Sequence, residues 1–209
     1  MGETGTALTL PDKERVFERL GCLLARFHTA SDSWIQPDGF TRPAWDAAGL
    51  VGDTPLWGPF WQNPKLTPAE REITERLRER VSDALSGQTL DYGLIHADAV
   101  RENVLIDGET LHLIDYDDGG FGYRLFDLAT ALVKNIDEPT YPALRDALLS
   151  GYRSERHIET DLLDLFLAIR AATYVGWIVP RLGEPRAAKS VPRLIEATMR
   201  LSRNALVST

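Results

Sequence analysis

The stretch LIHADAVRENVLIDGETLHLIDYDDGGFGYRLFDLA, from Leu94 to Ala129, carries most of the chemical information in this 209-residue sequence. Its polar residues include a histidine, an asparagine and a set of aspartates: His96, Asp98, Asn103, Asp115, Asp117, Asp118 and Asp127. Like charges a few ångströms apart repel by about 4 kcal/mol at an intermediate effective dielectric, and a divalent cation turns that repulsion into binding. The sequence therefore predicts a metal-dependent site in this stretch.

Two short runs within the stretch, 103–107 and 111–115, are typical of β-strands, and the Asp107–Gly108 pair between them favours a tight turn. A hairpin would return Asn103 and Asp115 to the same end of two paired strands, where they could share one ion. Mg²⁺ suits such a site because it takes a few hard oxygen ligands and keeps positions for water and phosphate. Asp98, in the preceding loop, could accept a proton from a hydroxyl that attacks a phosphoryl group.

Helical patterns surround this hairpin. Apolar residues recur at helical spacing over 12–29, and Thr67–Glu70 is a typical helix start for a second helix to about Leu85. Beyond Phe126 we predict four more helices, bounded by prolines, at 127–135, 141–152, 161 to about 179, and 191–206. The predicted fold class is α+β and predominantly helical, with one small hairpin among about six helices.

Length predicts a single domain over residues 1–209, since about 150 residues per domain is typical. We predict an insertion rich in tryptophan and proline at about 31–66, which holds Trp34, Trp45, Trp57 and Trp61. These aromatic side chains either cover the core or form the wall of a small-molecule pocket.

Composition excludes several classes of function. Acidic residues outnumber basic ones 31 to 23, a net charge of −8 that argues against binding a nucleic-acid backbone. No apolar run approaches the ~18 residues of a membrane span, and residues 1–10 lack the layout of a signal peptide. The lone Cys22 excludes an intrachain disulfide and a cysteine zinc cage. We therefore predict a cytoplasmic protein without nucleic-acid or membrane partners.

The motifs in the stretch resemble a known family. HxDxxxxN at His96, Asp98 and Asn103, followed by a hairpin, IDYDD at 114–118 and DLA at 127–129, resembles the aminoglycoside phosphotransferase and choline kinase-like family, whose members are relatives of protein kinases. The resemblance implies the C-terminal lobe of a protein kinase-like fold with a small catalytic hairpin.

Flanking motifs extend the resemblance. LARFH at 24–28 resembles the end of the first helix of the large lobe in that family. RPAWD at 42–46 and WGPFW at 57–61, together with IDYDDGGFG, resemble the branch that contains homoserine kinase-like proteins and stress response kinase A.

The resemblance implies roles for individual residues and for two cofactors, ATP and Mg²⁺. Asp98 would be the catalytic base, Asn103 and Asp115 would hold magnesium across the ATP phosphates, and His96 would be a scaffold of the catalytic loop. Apart from the resemblance, Asp117 is interpreted either as an acid that supports these ligands or binds a second ion, or as a solvated turn carboxylate.

Four further residues lie near these motifs, and two of them, Arg101 and Asp127, have more than one interpretation. Val100 stands where relatives often carry a polar or basic residue that steadies the transferred phosphate. Arg101 is a candidate catalytic residue for that duty, or else an exposed surface arginine. Asp127 would cap its helix or brace the catalytic loop, and His28 is interpreted as a hydrogen-bonded core histidine.

Family members usually carry an N-terminal lobe with a glycine-rich loop and a phosphate-binding lysine. Nothing before Asp12 can supply either, and none of the four lysines lies in a strand-like context. We therefore expect a large lobe from which the N-terminal nucleotide lobe is missing, inactive or weakly active alone. Its possible partners are a second copy, in a homodimer, or a separate N-terminal lobe.

The predicted function is transfer of the ATP γ-phosphate to a hydroxyl of a small-molecule acceptor. The alternatives are a non-catalytic binding or scaffold module derived from a kinase, and a metal-dependent phosphohydrolase. The acceptor stays open among amino alcohols, homoserine-like compounds, aminoglycosides and protein hydroxyls.

Overall fold

The computed structural model describes residues 3–4, 12–86 and 90–207. The chain divides into two compact units, each assembled from two separate segments. The first unit comprises Met1–Pro43 and Asp91–Thr160, and the second comprises Ala44–Leu90 and Asp161–Thr209. Two compact units can belong to one domain, so the single domain over 1–209 stays a prediction. The expectations for residues 1–2 and 5–11 lie outside the described residues.

The described residues form seven α-helices, in agreement with a predominantly helical fold. They are α1 (Lys13–Ser33), α2 (Ala47–Val51), α3 (Pro68–Ser86), α4 (Arg124–Val133), α5 (Tyr141–Glu155), α6 (Leu163–Trp177) and α7 (Pro185–Val207). Six short strands accompany them: β1 (Glu3–Thr4), β2 (Ala44–Trp45), β3 (Tyr92–Ile95), β4 (Val104–Asp107), β5 (Thr110–Leu113) and β6 (Gly120–Tyr123).

The predicted hairpin is present as β4 and β5, which pair antiparallel from Val104 opposite Leu113 to Asp107 opposite Thr110. Gly108 takes the turn with a positive φ of 54°. The strands are shorter than predicted, because Asn103 ends a 3₁₀ turn (Arg101–Asn103). Pairing continues one step beyond β5 through Ile114, whose amide donates to the carbonyl of Asn103 over 3.0 Å.

The predicted hairpin is the pair β4 and β5, but the fold has more strand pairing than predicted: β1 pairs antiparallel with β4, and β3 pairs antiparallel with β6 in the first unit. The sequence does not predict β3 and β6, because they contain glycines at 93, 120 and 122 and glycine has low β propensity. Position 120 requires glycine because the backbone of Pro43 passes close to it: a Cβ at this position would lie 2.2 Å from the carbonyl oxygen of Pro43. The glycine therefore marks a close approach of two backbones within a strand.

Helix α7 corrects a second prediction, because it begins at Pro185 and contains Pro192 in its interior. An internal proline removes one helical hydrogen bond and usually ends a helix. Here the helix continues through it, and Val191, Ile195 and Met199 are buried on one face. The buried apolar face outweighs the local cost of the proline. Helices α1 and α5 likewise extend beyond their predicted ends at Thr29 and Tyr152.

Helices α1 and α5 pack closely in the first unit because glycines lie at their contact. A Cβ at Gly21 would clash with the carbonyl oxygen of Leu148, and one at Gly151 with that of Glu18. The close packing brings His28 of α1 next to Tyr152 of α5, with His28 Nδ1 2.8 Å from the tyrosine hydroxyl.

In the second unit, α6 is the most completely buried helix. The prediction that no apolar run approaches the length of a membrane span is wrong for this part of the chain. The segment Leu163–Arg181 is long and apolar enough to cross a membrane, with a mean hydropathy of 1.3, and 72% of it is buried within the protein. It includes the fully buried Arg170, whose guanidinium stacks on Trp57 and Tyr174. Burial of this kind is typical of a core helix, so the segment is weak evidence for a membrane span.

The tryptophans of the predicted insertion were expected either to cover the core or to line a pocket, and both cases occur. Trp45 and Trp61 are buried, with 1% and 5% of their surface exposed, and cover the core as predicted. Trp34 is 44% exposed and lies edge-on to Phe40. It lines a cleft of about 480 Å³ in the first unit together with Phe27 and Tyr116.

Candidate active site

The catalytic loop predicted from the sequence follows β3 and ends at the 3₁₀ turn of Asn103. The Nδ2 atom of Asn103 donates to the carbonyl oxygen and to Oδ2 of Asp98, each over 2.9 Å. A carbonyl oxygen can only accept, so these bonds assign the orientation of the amide and turn its Oδ1 away from Asp98. The structure therefore brings the predicted base and one predicted metal ligand into direct contact.

His96 is fully buried and joins the two halves of the site. Its Nδ1 accepts from the backbone amide of Asp98 over 3.3 Å, and its Nε2 lies 3.0 Å from the carbonyl oxygen of Ile114. Because an amide only donates and a carbonyl only accepts, the ring proton is on Nε2. His96 thus connects the loop of Asp98 with the segment of Asp115, the geometry expected of a scaffold.

Asp127, at the start of α4, braces the catalytic loop by accepting hydrogen bonds from its backbone. Its Oδ2 accepts from the backbone amide of His96 over 2.8 Å and its Oδ1 from that of Ala97 over 2.7 Å. His28 Nε2 lies 3.0 Å from Oδ2. The interpretation of Asp127 as a brace and of His28 as a hydrogen-bonded core histidine agrees with these contacts.

The protonation states of this buried pair follow from its surroundings. Burial lowers the pKa of His28, and the neighbouring carboxylate opposes that shift only in part. For Asp127, burial raises the pKa, but hydrogen bonds from His28 and the backbone outweigh burial and hold it below its ordinary value. An uncharged His28 therefore donates from Nε2 to an ionised Asp127 and accepts at Nδ1 from the Tyr152 hydroxyl.

Two non-glycine residues of the described chain have a positive φ, and both lie in the site: Ala97 and Asp115, each at 64°. A left-handed conformation costs about 1–2 kcal/mol for a residue such as alanine, whereas aspartate tolerates it better. At Ala97 it persists only because the surroundings impose it. The bond from the Ala97 amide to Asp127 supplies that constraint in the catalytic loop. Backbone strain of this kind concentrates at functional sites.

Asp115 and Asp117 lie in the exposed segment between β5 and β6. Ile114, directly before Asp115, is bonded to Asn103, so the two predicted ligands lie at the same open end of the hairpin, as predicted. Asp117 and Asp118 form the turn that follows, in agreement with the turn interpretation of Asp118. Next to them the Tyr116 ring lies 4.5 Å from the ring of His96.

These donors fit magnesium. Asn103 offers an amide oxygen turned away from Asp98, and Asp115 offers an exposed carboxylate. One amide and one carboxylate make a partial set of hard oxygens, which suits an ion that keeps water and phosphate as its other ligands. Among the described residues no group of three or more histidine, cysteine or acidic side chains could hold a metal ion. The assignment of Asn103, Asp115 and Asp117 as ligands stays a prediction.

Arg101 takes part in a surface network. Its Nε lies 3.2 Å from Oε1 of Glu102, and Lys134 Nζ lies 2.8 Å from the other oxygen of that carboxylate. The Arg101 side chain is 38% exposed. Its predicted catalytic role stays a prediction.

Two arginines, the buried Arg124 and the partly buried Arg156, support strand β3, which precedes the catalytic loop, and no sequence pattern singled them out. Arg124 is fully buried and donates to the carbonyl of Leu94 and, over 2.5 Å, to Asp32. Arg156 donates to the same Asp32 and to Asp91. These residues lie far apart in the sequence and have no spacing motif, so nothing in their pattern distinguishes them from surface residues.

Arg42 is a third arginine that contributes to the site and was not predicted from the sequence. It belongs to the RPAWD motif, which carried a family resemblance but no assigned role. Its guanidinium donates to backbone carbonyls of the turn after Asp115, including that of Asp117 over 2.9 Å.

Comparison with known proteins identifies the family. A sequence profile of the phosphotransferase enzyme family, APH, matches residues 2–163. The chain belongs to this family. The match includes the whole stretch from which the resemblance was inferred, and that prediction is confirmed.

Proteins similar in sequence to this chain include homoserine kinases. The homoserine kinase of Neisseria meningitidis serogroup B is 27% identical over 187 residues, which cover 85% of this chain and 56% of that protein. The homoserine kinase of Pseudomonas aeruginosa strain PAO1 is 38% identical over 95 residues, or 44% of this chain and 28% of that protein. The chain thus spans little more than half of the Neisseria kinase.

Solved structures confirm the fold class. A microcompartment-associated aminopropanol kinase is 28% identical, with a TM-score of 0.85 over 95% of this chain and 66% of that chain. A choline/ethanolamine kinase family protein from Mesorhizobium loti is 16% identical, with a TM-score of 0.70 over 99% of this chain and 66% of that chain. The second likeness concerns the fold alone. The predicted C-terminal lobe of a kinase-like fold is confirmed.

Proposed function

We propose that this chain is the catalytic lobe of an ATP- and Mg²⁺-dependent kinase that transfers the γ-phosphate to the hydroxyl of a small amino alcohol. The contact between Asp98 and Asn103 carries the proposal, because it joins a base to a metal-ligand side chain. The acceptor class is supported by homoserine kinase and aminopropanol kinase as relatives. Homoserine and aminopropanol both carry an amine and a hydroxyl.

Asp98 orients the acceptor hydroxyl and takes its proton. Asn103 holds Oδ2 of Asp98, which limits the carboxylate to one orientation. As the acceptor oxygen bonds to the γ-phosphorus, its proton passes to Asp98 and ADP departs with the electrons of the broken P–O bond. The loop is held for this step by Asp127, whose two oxygens bind the amides of His96 and Ala97.

Magnesium, when bound, would neutralise negative charge on the ATP phosphates. Asn103 Oδ1 and the Asp115 carboxylate would hold it, with support from Asp117. His96 keeps the two ligand segments together through its bonds to Asp98 and Ile114. Phosphoryl transfer depends on such positioning and charge neutralisation more than on covalent chemistry by the protein.

A transfer assay tests the proposal. The chain is incubated with Mg²⁺, γ-³²P-labelled ATP and one acceptor at a time: homoserine, 1-amino-2-propanol, ethanolamine, choline or an aminoglycoside. We expect slow labelling of a small amino alcohol, because neither the glycine-rich loop nor the phosphate-binding lysine of the family is recognisable in the sequence. The Asp98→Asn variant should lower turnover by about 10²–10⁴-fold, the range for a general base. Labelling of only the aminoglycoside would overturn the acceptor class.

The same assay separates the two alternatives. Binding of Mg-ATP with no transfer to any acceptor, and no free phosphate, would indicate a kinase-derived binding module. Release of free phosphate that does not depend on the acceptor would indicate a phosphohydrolase. Either result would overturn the proposed kinase.

A further inference from the structure

One guanidinium holds the turn that follows Asp115. Arg42 Nε donates to the carbonyl oxygen of Gly119 over 2.5 Å, and its Nη2 donates to that of Asp117 over 2.9 Å and to that of Tyr116. Three carbonyls within four consecutive residues thus converge on one side chain that is more than seventy positions away in the sequence. Carbonyl groups oriented in this way leave the turn little freedom.

The backbone next to Arg42 adds a second attachment. The amide of Phe121 donates to the carbonyl of Pro43 over 2.9 Å. Gly120 passes so close to that carbonyl that only a residue without a Cβ fits. The segment 42–43 and the turn 116–121 are therefore held together by side-chain and backbone bonds on both sides of Gly120.

Asp115 lies at the start of this turn with a φ of 64°, a left-handed conformation that aspartate adopts more readily than most residues, so its neighbours decide whether the turn keeps it. On its N-terminal side, Ile114 is fixed by bonds to Asn103 and His96. On its C-terminal side the turn is fixed by Arg42. Asp115 is thus held between two constraints, and Arg42 provides the side-chain constraint on the C-terminal side.

We propose that Arg42 is a positioning residue that sets the Asp115 carboxylate for binding a divalent cation. This inference rests on the proposed function, in which Asp115 is a metal ligand. Arginine suits the task because its donors form a rigid planar fork that reaches several carbonyls at once. Lysine offers a single ammonium on a flexible stem and would hold fewer of them.

Binding of Mn²⁺ to this chain tests the inference without turnover. Free Mn²⁺ is measured by electron paramagnetic resonance in titrations of the parent chain and of the variants Arg42→Ala, Arg42→Lys and Asp115→Asn. We expect Arg42→Ala to weaken binding by about 10-fold, the lower end of the loss when a residue that orients a metal ligand is removed. Arg42→Lys should fall between Arg42→Ala and the parent. Asp115→Asn should weaken binding most.

A matched control removes a guanidinium elsewhere in the same unit. Arg26 forms an ion pair with Glu155 and its side chain is 68% exposed, so Arg26→Ala should bind Mn²⁺ like the parent. Circular dichroism and thermal unfolding confirm that each variant is folded. If Arg42→Ala is unfolded, Arg42→Lys decides the question by itself.

The outcomes distinguish a failure of the metal role proposed for Asp115 from a failure of the inference about Arg42. If Asp115→Asn binds Mn²⁺ like the parent, the metal role in the proposed function fails. If Asp115→Asn loses binding while Arg42→Lys and any folded Arg42→Ala bind like the parent, only the inference about Arg42 fails. Where turnover is measurable, Arg42→Ala should raise the Mg²⁺ concentration for half-maximal rate, and saturating Mg²⁺ should restore kcat. A lower kcat with no change in that concentration would also overturn the inference.

Discussion

The catalytic loop of Asp98 and the turn after Asp115 are both supported by one distant side chain, but the two supports differ in burial. The loop is braced by the fully buried carboxylate of Asp127, which accepts from backbone amides. The turn is held by the half-buried guanidinium of Arg42, which donates to backbone carbonyls. A buried support should affect the stability of the unit, whereas a support open to water should affect mainly the geometry of the turn.

The largest effect is expected from Asp127→Ala. This substitution leaves the amides of His96 and Ala97 and the ring of His28 without their acceptor in the interior. Each buried donor left without an acceptor costs about 1–3 kcal/mol, so we expect a loss of about 3 kcal/mol or more in the free energy of unfolding measured with urea. Asp117→Asn, in the exposed turn, is the control and should change stability by less than about 0.5 kcal/mol. A loss below 1 kcal/mol for Asp127→Ala would remove the contrast between the two supports.

A smaller effect is expected from Gly120→Ala, which tests the contact between the turn and Pro43. The added methyl group would meet the carbonyl oxygen of Pro43, so one backbone must shift. Overpacking of this kind costs about 1–3 kcal/mol of unfolding free energy. Gly183→Ala is the matched control, because no atom lies within 4 Å of the position of its Cβ. Equal stability of the two variants would contradict the close approach.

The buried brace also predicts a pH dependence. The pKa of His28 is lower in the folded state, so its contribution to stability is complete above the unfolded value of about 6.5 and is lost as pH falls below it. One such group changes the unfolding free energy by at most about 1.4 kcal/mol per pH unit. We expect His28→Gln to reduce the loss of stability between pH 7 and pH 5, measured by urea unfolding. An unchanged slope would show that His28 is not the titrating group.

The smallest change in stability is expected from Arg101→Ala. Its ion pair with Glu102 is partly exposed, and such pairs contribute less than about 1 kcal/mol. If Arg101 steadies the transferred phosphate, the same variant should lower turnover by about tenfold, the loss expected for one charge-assisted hydrogen bond. Arg101→Lys, which keeps the charge, should recover part of that rate. Unchanged turnover in both variants would leave Arg101 as a surface residue.

The elements that sequence predicted well are those with local signals. The hairpin followed from the Asp107–Gly108 turn between two strand-like runs, and the spacing from Asp98 to Asn103 located the loop before its contacts were known. The pair β3 and β6 was missed because its glycines serve a close contact with Pro43 that no local pattern encodes. Helix α7 continues through Pro192, although proline usually ends a helix, because burial of its apolar face stabilises the helix by more than the proline destabilises it.

The sequence by itself determined the family, the helical fold class and the identity of the polar groups in the site, since periodicity, turn residues and motif spacing are properties of neighbouring positions. The tertiary structure alone decided that Arg42 and Arg124 support those groups, and that Asp127 braces the loop, which was one of its two predicted roles. Arg42, Asp127 and Arg124 act on backbone segments between thirty and almost eighty positions away. Hydrogen bonds and burial depend on distance in space, and the chain brings such positions together only when it folds.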